Sequence, residues 1–196
     1  CEVALCGHAT LATAYTLFEL GLCDKSHPGA IQLSFPIAVQ EKHSDDWYRD
    51  TSHILALVLG VNFADVIAID HYGSSYICHL NQAAYNTVQP NFTRMMDLSC
   101  LAVVITCEAP ETSEYDFFSR FFAPKLGVNE DPVTGSAHCA LVPYWNRNLP
   151  SHPVDFRARQ TSARGGDLIV RLDNNRVLIT GTAVFTLRGK LIGSIF

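Results

Sequence analysis

Gly127-Val-Asn-Glu-Asp-Pro-Val-Thr-Gly-Ser-Ala-His138 runs from one glycine, through two carboxylates and a proline, to Gly135 and Ser136 and then into an apolar-periodic stretch. A glycine with small polar neighbours that opens a helix is the grammar of an anion-ready N-terminus. The first-turn N–H groups have no helical carbonyl to bond, and the helix dipole favours negative charge there. Cys6-Gly-His-Ala-Thr10 repeats the device near the start of the chain. Ionisable residues stand beside both turns, His8 at the first and Asp131 at the second. Two such turns predict two half-sites that face one substrate.

Each turn leads into a helix. Leu11, Ala14, Tyr15, Leu17 and Phe18 recur at helical spacing and predict a largely buried helix over Thr10 to Leu20, closed by Gly21. A second helix is expected over Ala137 to Asn148, kinked at Pro143. Around them the pattern is of short strands. These are Ile31 to Val39 (interrupted by Pro36), Val66 to Asp70 and Ser75 to Leu80 joined as a hairpin about Gly73, Leu101 to Cys107, Asp155 to Gln160, Leu168 to Leu172, Arg176 to Thr180 and Ala183 to Leu187. Glu41 to Ser52 is polar and reads as holding a linker or loop. Ile54 to Leu59 suits strand or helix, and Asn81 to Asp97 carries a weak helical pattern. Phe117, Phe118, Phe121 and Phe122 read as core rather than a ligand box. The expected division is 1–50 as the remainder of an N-terminal domain around helix 10–20, 51–187 as a C-terminal domain around helix 136–148, and 188–196 as a tail that returns to the first domain.

With 48% hydrophobic residues in 196, the chain can bury a large core. Its 14 Lys and Arg are outnumbered by 19 Asp and Glu and form no run, which argues against nucleic acid as a partner. The longest apolar stretches, such as Ile54 to Val61, are far too short to span a bilayer, so no membrane partner is expected. Seven cysteines without a Cys-x-x-Cys pair read as reduced thiols of a cytoplasmic protein. Cys6, just before a helix start, is placed where a thiol pKa can be lowered. His138-Cys139, and His8 near Cys6, match no common zinc spacing, so no metal site is expected.

Cys6-Gly-His-Ala-Thr-Leu-Ala-Thr-Ala14 and Asn129-Glu-Asp-Pro-Val-Thr-Gly-Ser-Ala-His-Cys-Ala-Leu141 closely resemble the PhzF-like (phenazine biosynthesis-like) family. Gln160-Thr-Ser-Ala-Arg-Gly-Gly166 looks like a third motif of that family, and Val177 to Val184 fits it too. The resemblance implies an α+β fold of diaminopimelate-epimerase type, with two similar, mostly antiparallel barrel-like sheets, each around a central helix. The site would lie between the two helix N-termini. Family members begin before the Gly-His motif, with strands that complete the first domain and a glutamate that serves as the main acid/base. The first domain is therefore expected to be incomplete in the sequence as it stands.

For the residues, the resemblance implies His8 and Asp131 as the catalytic pair, with the Asp131 carboxylate steadying the imidazole of His8. Gly7, Gly135, Ser136 and Gly165 would bind substrate. Glu130 should point elsewhere and serve structure. Epimerases of this fold use one cysteine on each half; here Gly7 and Asp131 stand at those positions, so two-thiol racemisation is not expected. The reading is an isomerase that moves a proton within a small carboxylated metabolite, with neither metal nor organic cofactor, as a homodimer. The alternative is a truncated non-catalytic relative that acts as an interaction protein.

Overall fold

The computed structural model describes residues 6–23, 30–149 and 153–189. The chain runs α1 (Gly7–Glu19), β1 (Ile31–Pro36), β2 (Gln40–Glu41), α2 (Asp45–Leu59), β3 (Val66–Tyr72), β4 (Ser75–Leu80), α3 (Gln82–Tyr85), α4 (Phe92–Met95), β5 (Ala102–Glu108), β6 (Phe117–Ala123), β7 (Val128–Asp131), α5 (Gly135–Asn148), β8 (Phe156–Gln160), β9 (Gly166–Asp173) and β10 (Arg176–Gly181). The strands form one sheet in the order β1-β10-β9-β8-β6-β5-β4-β3-β2, with β7 beside β6. Pairing is antiparallel except at β4/β5 and β6/β8.

The two edge strands of that sheet, β1 and β2, are joined by only residues 37–39. So short a link spans at most about 14 Å, at roughly 3.3–3.6 Å per residue. The sheet must therefore curl until its edges nearly meet. What it curls around is α5. Leu141, Val142 and Trp145 pack in one cluster with Tyr72 of β3, Ile77 of β4, Val104 of β5, Phe117 of β6, Phe156 of β8, Val170 of β9 and Val177 of β10, with Phe35 of β1 against them. The outer face of β3–β6 is covered by α2, α3 and α4, where Leu55, Leu59 and Tyr85 meet Ile69, Cys78, Ile105 and Phe122. That second layer explains β5. Alternate residues serve opposite clusters, so Ala102 to Cys107 is buried throughout and reads as an unbroken apolar run.

Pro143 contributes to the closure. It has no N–H to give the carbonyl four residues back. That carbonyl, of Cys139, instead accepts the backbone N–H of Ala38 at 3.0 Å. The link between the two sheet edges is thus tied to the central helix.

Several expectations need correction. Glu41 to Ser52 is a loop only at 42–44, because Ser44 caps α2 by accepting the N–H of Trp47 and Asp45 and Asp46 suit the first turn. Ile54 to Leu59 is its last turns, and residue 50 lies inside it. The α1 helix spans Gly7–Glu19 and has no buried residue. Its main contacts are with β1 and α5, and no sheet surrounds it among the described residues. Ala183 to Leu187 is not a strand. β10 already pairs on both sides, with β9 and β1, and Phe185 instead packs its ring on Tyr15 at 5.2 Å. Residues 190–196 of the expected tail lie outside the described residues. The hairpin at Gly73 and the second helix stand where the sequence puts them, and Phe117 and Phe122 are core.

His138 lies fully buried in α5. Its Nδ1 donates to the Thr134 carbonyl at 2.8 Å, and its Nε2 has no hydrogen-bond partner among the described residues. Burial pushes its pKa down to about 4, and that of His79 likewise. An unfolded histidine takes up a proton near pH 6.5. As pH falls from there toward 4, unfolded chains bind protons that the native protein refuses, so stability falls with falling pH. The expected slope is up to about 1.4 kcal/mol per pH unit for each such histidine. Urea unfolding at pH 7 and pH 4.5 should show this loss, and a smaller one in His138→Asn. An equal loss in both proteins would remove His138 from the account.

Candidate active site

The start of α1 lies directly against the start of α5. A Cβ added to Gly7 would come within 3.3 Å of the Gly135 Cα, and one added to Gly135 within 3.3 Å of the Gly7 Cα. This is backbone against backbone, with no flexible side chain to give way, so a side chain at either position would force the two backbones apart by a few tenths of an ångström. The two anion-ready turns are therefore one place in the molecule. The N–H groups of Gly7, His8 and Ala9, and of Gly135, Ser136 and Ala137, are first-turn donors without helical acceptors.

A cavity of about 1000 Å³ opens beside this junction. Cys6, Gly7, His8, Asp131, Thr134, Gly135 and Ser136 line it at one end, and Val104, Phe121 and Leu126 supply apolar wall. His8 and Ser136 are exposed to it. An apolar chamber with a few convergent polar groups is the usual form of a small-molecule site.

Each side chain has its own support. The His8 ring reaches the Cys6 Sγ, with Nε2 at 3.6 Å. The Asp131 carboxylate accepts a very short hydrogen bond from the Thr134 hydroxyl. Among the described residues no hydrogen bond joins Asp131 to His8, which corrects the expectation that the carboxylate steadies the imidazole directly. Both line the cavity, but from different elements, β7 and the first turn of α1. Glu130 turns away, as expected, into a bidentate pair with Arg120 at 2.7 and 3.1 Å. Gly165 does not line the cavity. It is a turn residue with φ of +71°, its N–H held by Ser162 Oγ at 3.0 Å. Gly166 is packed harder, since a Cβ there would fall 2.1 Å from a Val133 methyl.

Gln160 is the residue to which the sequence reading assigned no role. It is fully buried at the end of β8. Its Oε1 accepts the Thr134 N–H at 2.8 Å, and its Nε2 donates to the Asp131 carbonyl at 2.7 Å and to the Thr134 hydroxyl at 3.1 Å. A relay results, from Gln160 amide to Thr134 hydroxyl to Asp131 carboxylate. Ser162 adds a bond to the Pro132 carbonyl at 2.8 Å. The third motif thus holds the second in shape. Its place next to the Thr-Ser turn was the available signal, since a glutamine ending a strand before a polar turn has three bonds to offer nearby backbone.

Gln160→Leu would leave the buried Thr134 N–H without the Gln160 acceptor, at roughly 1–3 kcal/mol. Chemical denaturation should show this loss. Gln160→Glu should recover part of it, since one carboxylate oxygen can still accept from Thr134. Wild-type stability in Gln160→Leu would show that the turn holds itself.

The family model for phenazine biosynthesis-like protein (PhzC-PhzF) matches residues 21–189. An uncharacterized isomerase of Halalkalibacterium halodurans is 38% identical over 210 residues, taking in 97% of this chain and 74% of that protein. An uncharacterized isomerase of Pseudomonas aeruginosa is 35% identical with the same coverage. Among solved structures, a putative phenazine biosynthesis PhzC/PhzF protein from Clostridium difficile superposes with a TM-score of 0.77 at 29% identity, covering 97% of this chain and 74% of that one. A PhzF-family protein from Enterococcus faecalis gives 0.74 at 30%, covering 92% and 70%. With matched sequence and fold, the chain belongs to the phenazine biosynthesis-like (PhzC-PhzF) family.

Proposed function

We propose that the protein is a cytoplasmic isomerase that moves a proton within a small carboxylated metabolite, bound where the two helix N-termini meet. The observation that carries the reading is the Gly7–Gly135 contact, which joins two sets of first-turn N–H donors at a cavity that His8 and Asp131 also line. That relatives are named isomerases favours this reading over a non-catalytic interaction protein.

In this reading the substrate carboxylate takes the N–H groups of Gly135 and Ser136 together with the Ser136 hydroxyl. Removing a proton from a carbon conjugated with that carboxylate spreads negative charge toward it, where the N–H donors and helix dipoles stabilise it. His8, exposed to the cavity, accepts the proton and returns it to another carbon. The bond pattern shifts, no electrons leave the molecule, and neither metal nor organic cofactor takes part. The Thr134 hydroxyl fixes the Asp131 carboxylate in place, so Asp131 faces the cavity as a positioned acid/base or electrostatic partner. The fold extends to two barrel-like halves, as the family resemblance implies. A homodimer belongs to the proposal as well, and the exposed Leu17 of α1 and Leu20 just after it support it.

Incubation in deuterium oxide with a panel of small unsaturated or α-hydrogen carboxylic acids tests the chemistry. Deuterium should enter the accepted substrate at carbon. Asp131→Asn keeps an acceptor for Thr134 and should fold normally while reducing exchange by roughly 10²–10⁴-fold. Ser136→Ala should weaken carboxylate binding by about 1 kcal/mol, and up to about 3 if the bond is to a charged group. Undiminished exchange in Asp131→Asn would reduce that residue to a structural part of its turn, and absence of exchange across the panel would refute the proton-transfer reading.

A further inference from the structure

A second cluster of chemistry-bearing side chains stands at the sheet edge. β2 and β3 are antiparallel with Glu41 directly opposite His71. The chain leaves β2, turns through 42–44 and enters α2, and this brings His43 back over the same pair. His71 Nδ1 lies 3.4 Å from Glu41 Oε2 and 2.7 Å from His43 Nε2. One donor atom from each of the three residues falls within 4.8 Å of the others.

The rings are held from outside. Trp47 stacks on His43 with centroids 3.8 Å apart, the two imidazoles are themselves stacked at 5.0 Å, and Tyr76 meets His71 edge-on at 4.9 Å. The Tyr48 hydroxyl accepts the backbone N–H of His43 at 3.3 Å. Glu41 remains half exposed, so an ion has access. Glu41 also lines the large cavity, which places the cluster at its margin.

We infer that Glu41, His43 and His71 form a binding site for a divalent transition cation of the zinc type. Two imidazoles and one carboxylate are a known zinc donor set, with three protein ligands and one position left for water. Metal–donor bonds of about 2.0–2.2 Å place tetrahedral ligand atoms about 3.3 Å apart. The Glu41–His71 spacing already meets this, and the two imidazoles need to part by only about half an ångström. Imidazole nitrogen favours zinc over magnesium or calcium, which take oxygen. A bound ion would pin the two-residue strand β2 and the entry to α2 onto β3 and, with three protein ligands, would keep a water in its fourth position.

Zinc titrated calorimetrically into the chelator-treated full chain should bind at one equivalent and raise the melting temperature. Cobalt in its place should give the visible bands of a nitrogen and oxygen site, without the near-ultraviolet thiolate band. Removing even an outer partner of a metal site costs roughly 10–100-fold in affinity, so His43→Ala, His71→Ala and Glu41→Gln should each lose at least that. Cys6→Ser should bind zinc as the wild type does. Should His71→Ala fail to fold by circular dichroism, His43→Gln carries the test, since His43 lies outside the sheet. Absence of zinc binding, a thiolate band, or unchanged affinity in His43→Gln would each overturn the site.

Discussion

The rest of the structure depends on enclosing α5. A helix bearing Leu141, Val142 and Trp145 on several faces cannot lie on a flat surface without leaving apolar area in water, and only a sheet curled round it removes that area. The short link from β1 to β2 forces the curl, and the Ala38 to Cys139 hydrogen bond fastens it. A proline inside the helix, which in isolation costs stability, here frees the one carbonyl that the link requires.

From that enclosure the active-site geometry follows. β7 and β8 deliver Asp131 and Gln160 to the turn that opens α5. Gln160 fills the three hydrogen-bonding needs of the turn at once, which leaves the first-turn donors of α5 free for a ligand. The α1 start can come to van der Waals contact because neither Gly7 nor Gly135 has a side chain. The anion binding proposed for this junction and the close packing of two backbones thus fall on the same two glycines.

The two centres at the cavity differ in kind. At the helix junction, the proposed charge stabilisation would come from backbone dipoles fixed by folding. At the β2–β3 edge, side chains far apart in sequence are gathered by strand register, and aromatic rings hold their orientation. The first is a property of a local motif, whereas the second exists only once the sheet has formed.

That difference marks what could be read in advance. The sequence by itself determined the two helix starts, the hairpin at Gly73 and the core role of Phe117 and Phe122, because caps, turns and periodicity are local and each leaves a mark within a few residues; the family came from the resemblance of its motifs. It misjudged α1 as buried, since an apolar helix does not record which neighbours cover it, and it took Ala183 to Leu187 for a strand, since alternation does not record whether a partner edge is free. Only the tertiary structure decided that Gln160 holds the Asp131 turn, that Asp131 bonds Thr134 rather than His8, and that Glu41, His43 and His71 converge. Those relations join residues up to some tens of positions apart through the register of β2 on β3 and the approach of β8 to the Asp131 turn, and no spacing along the chain encodes a register before the sheet is closed.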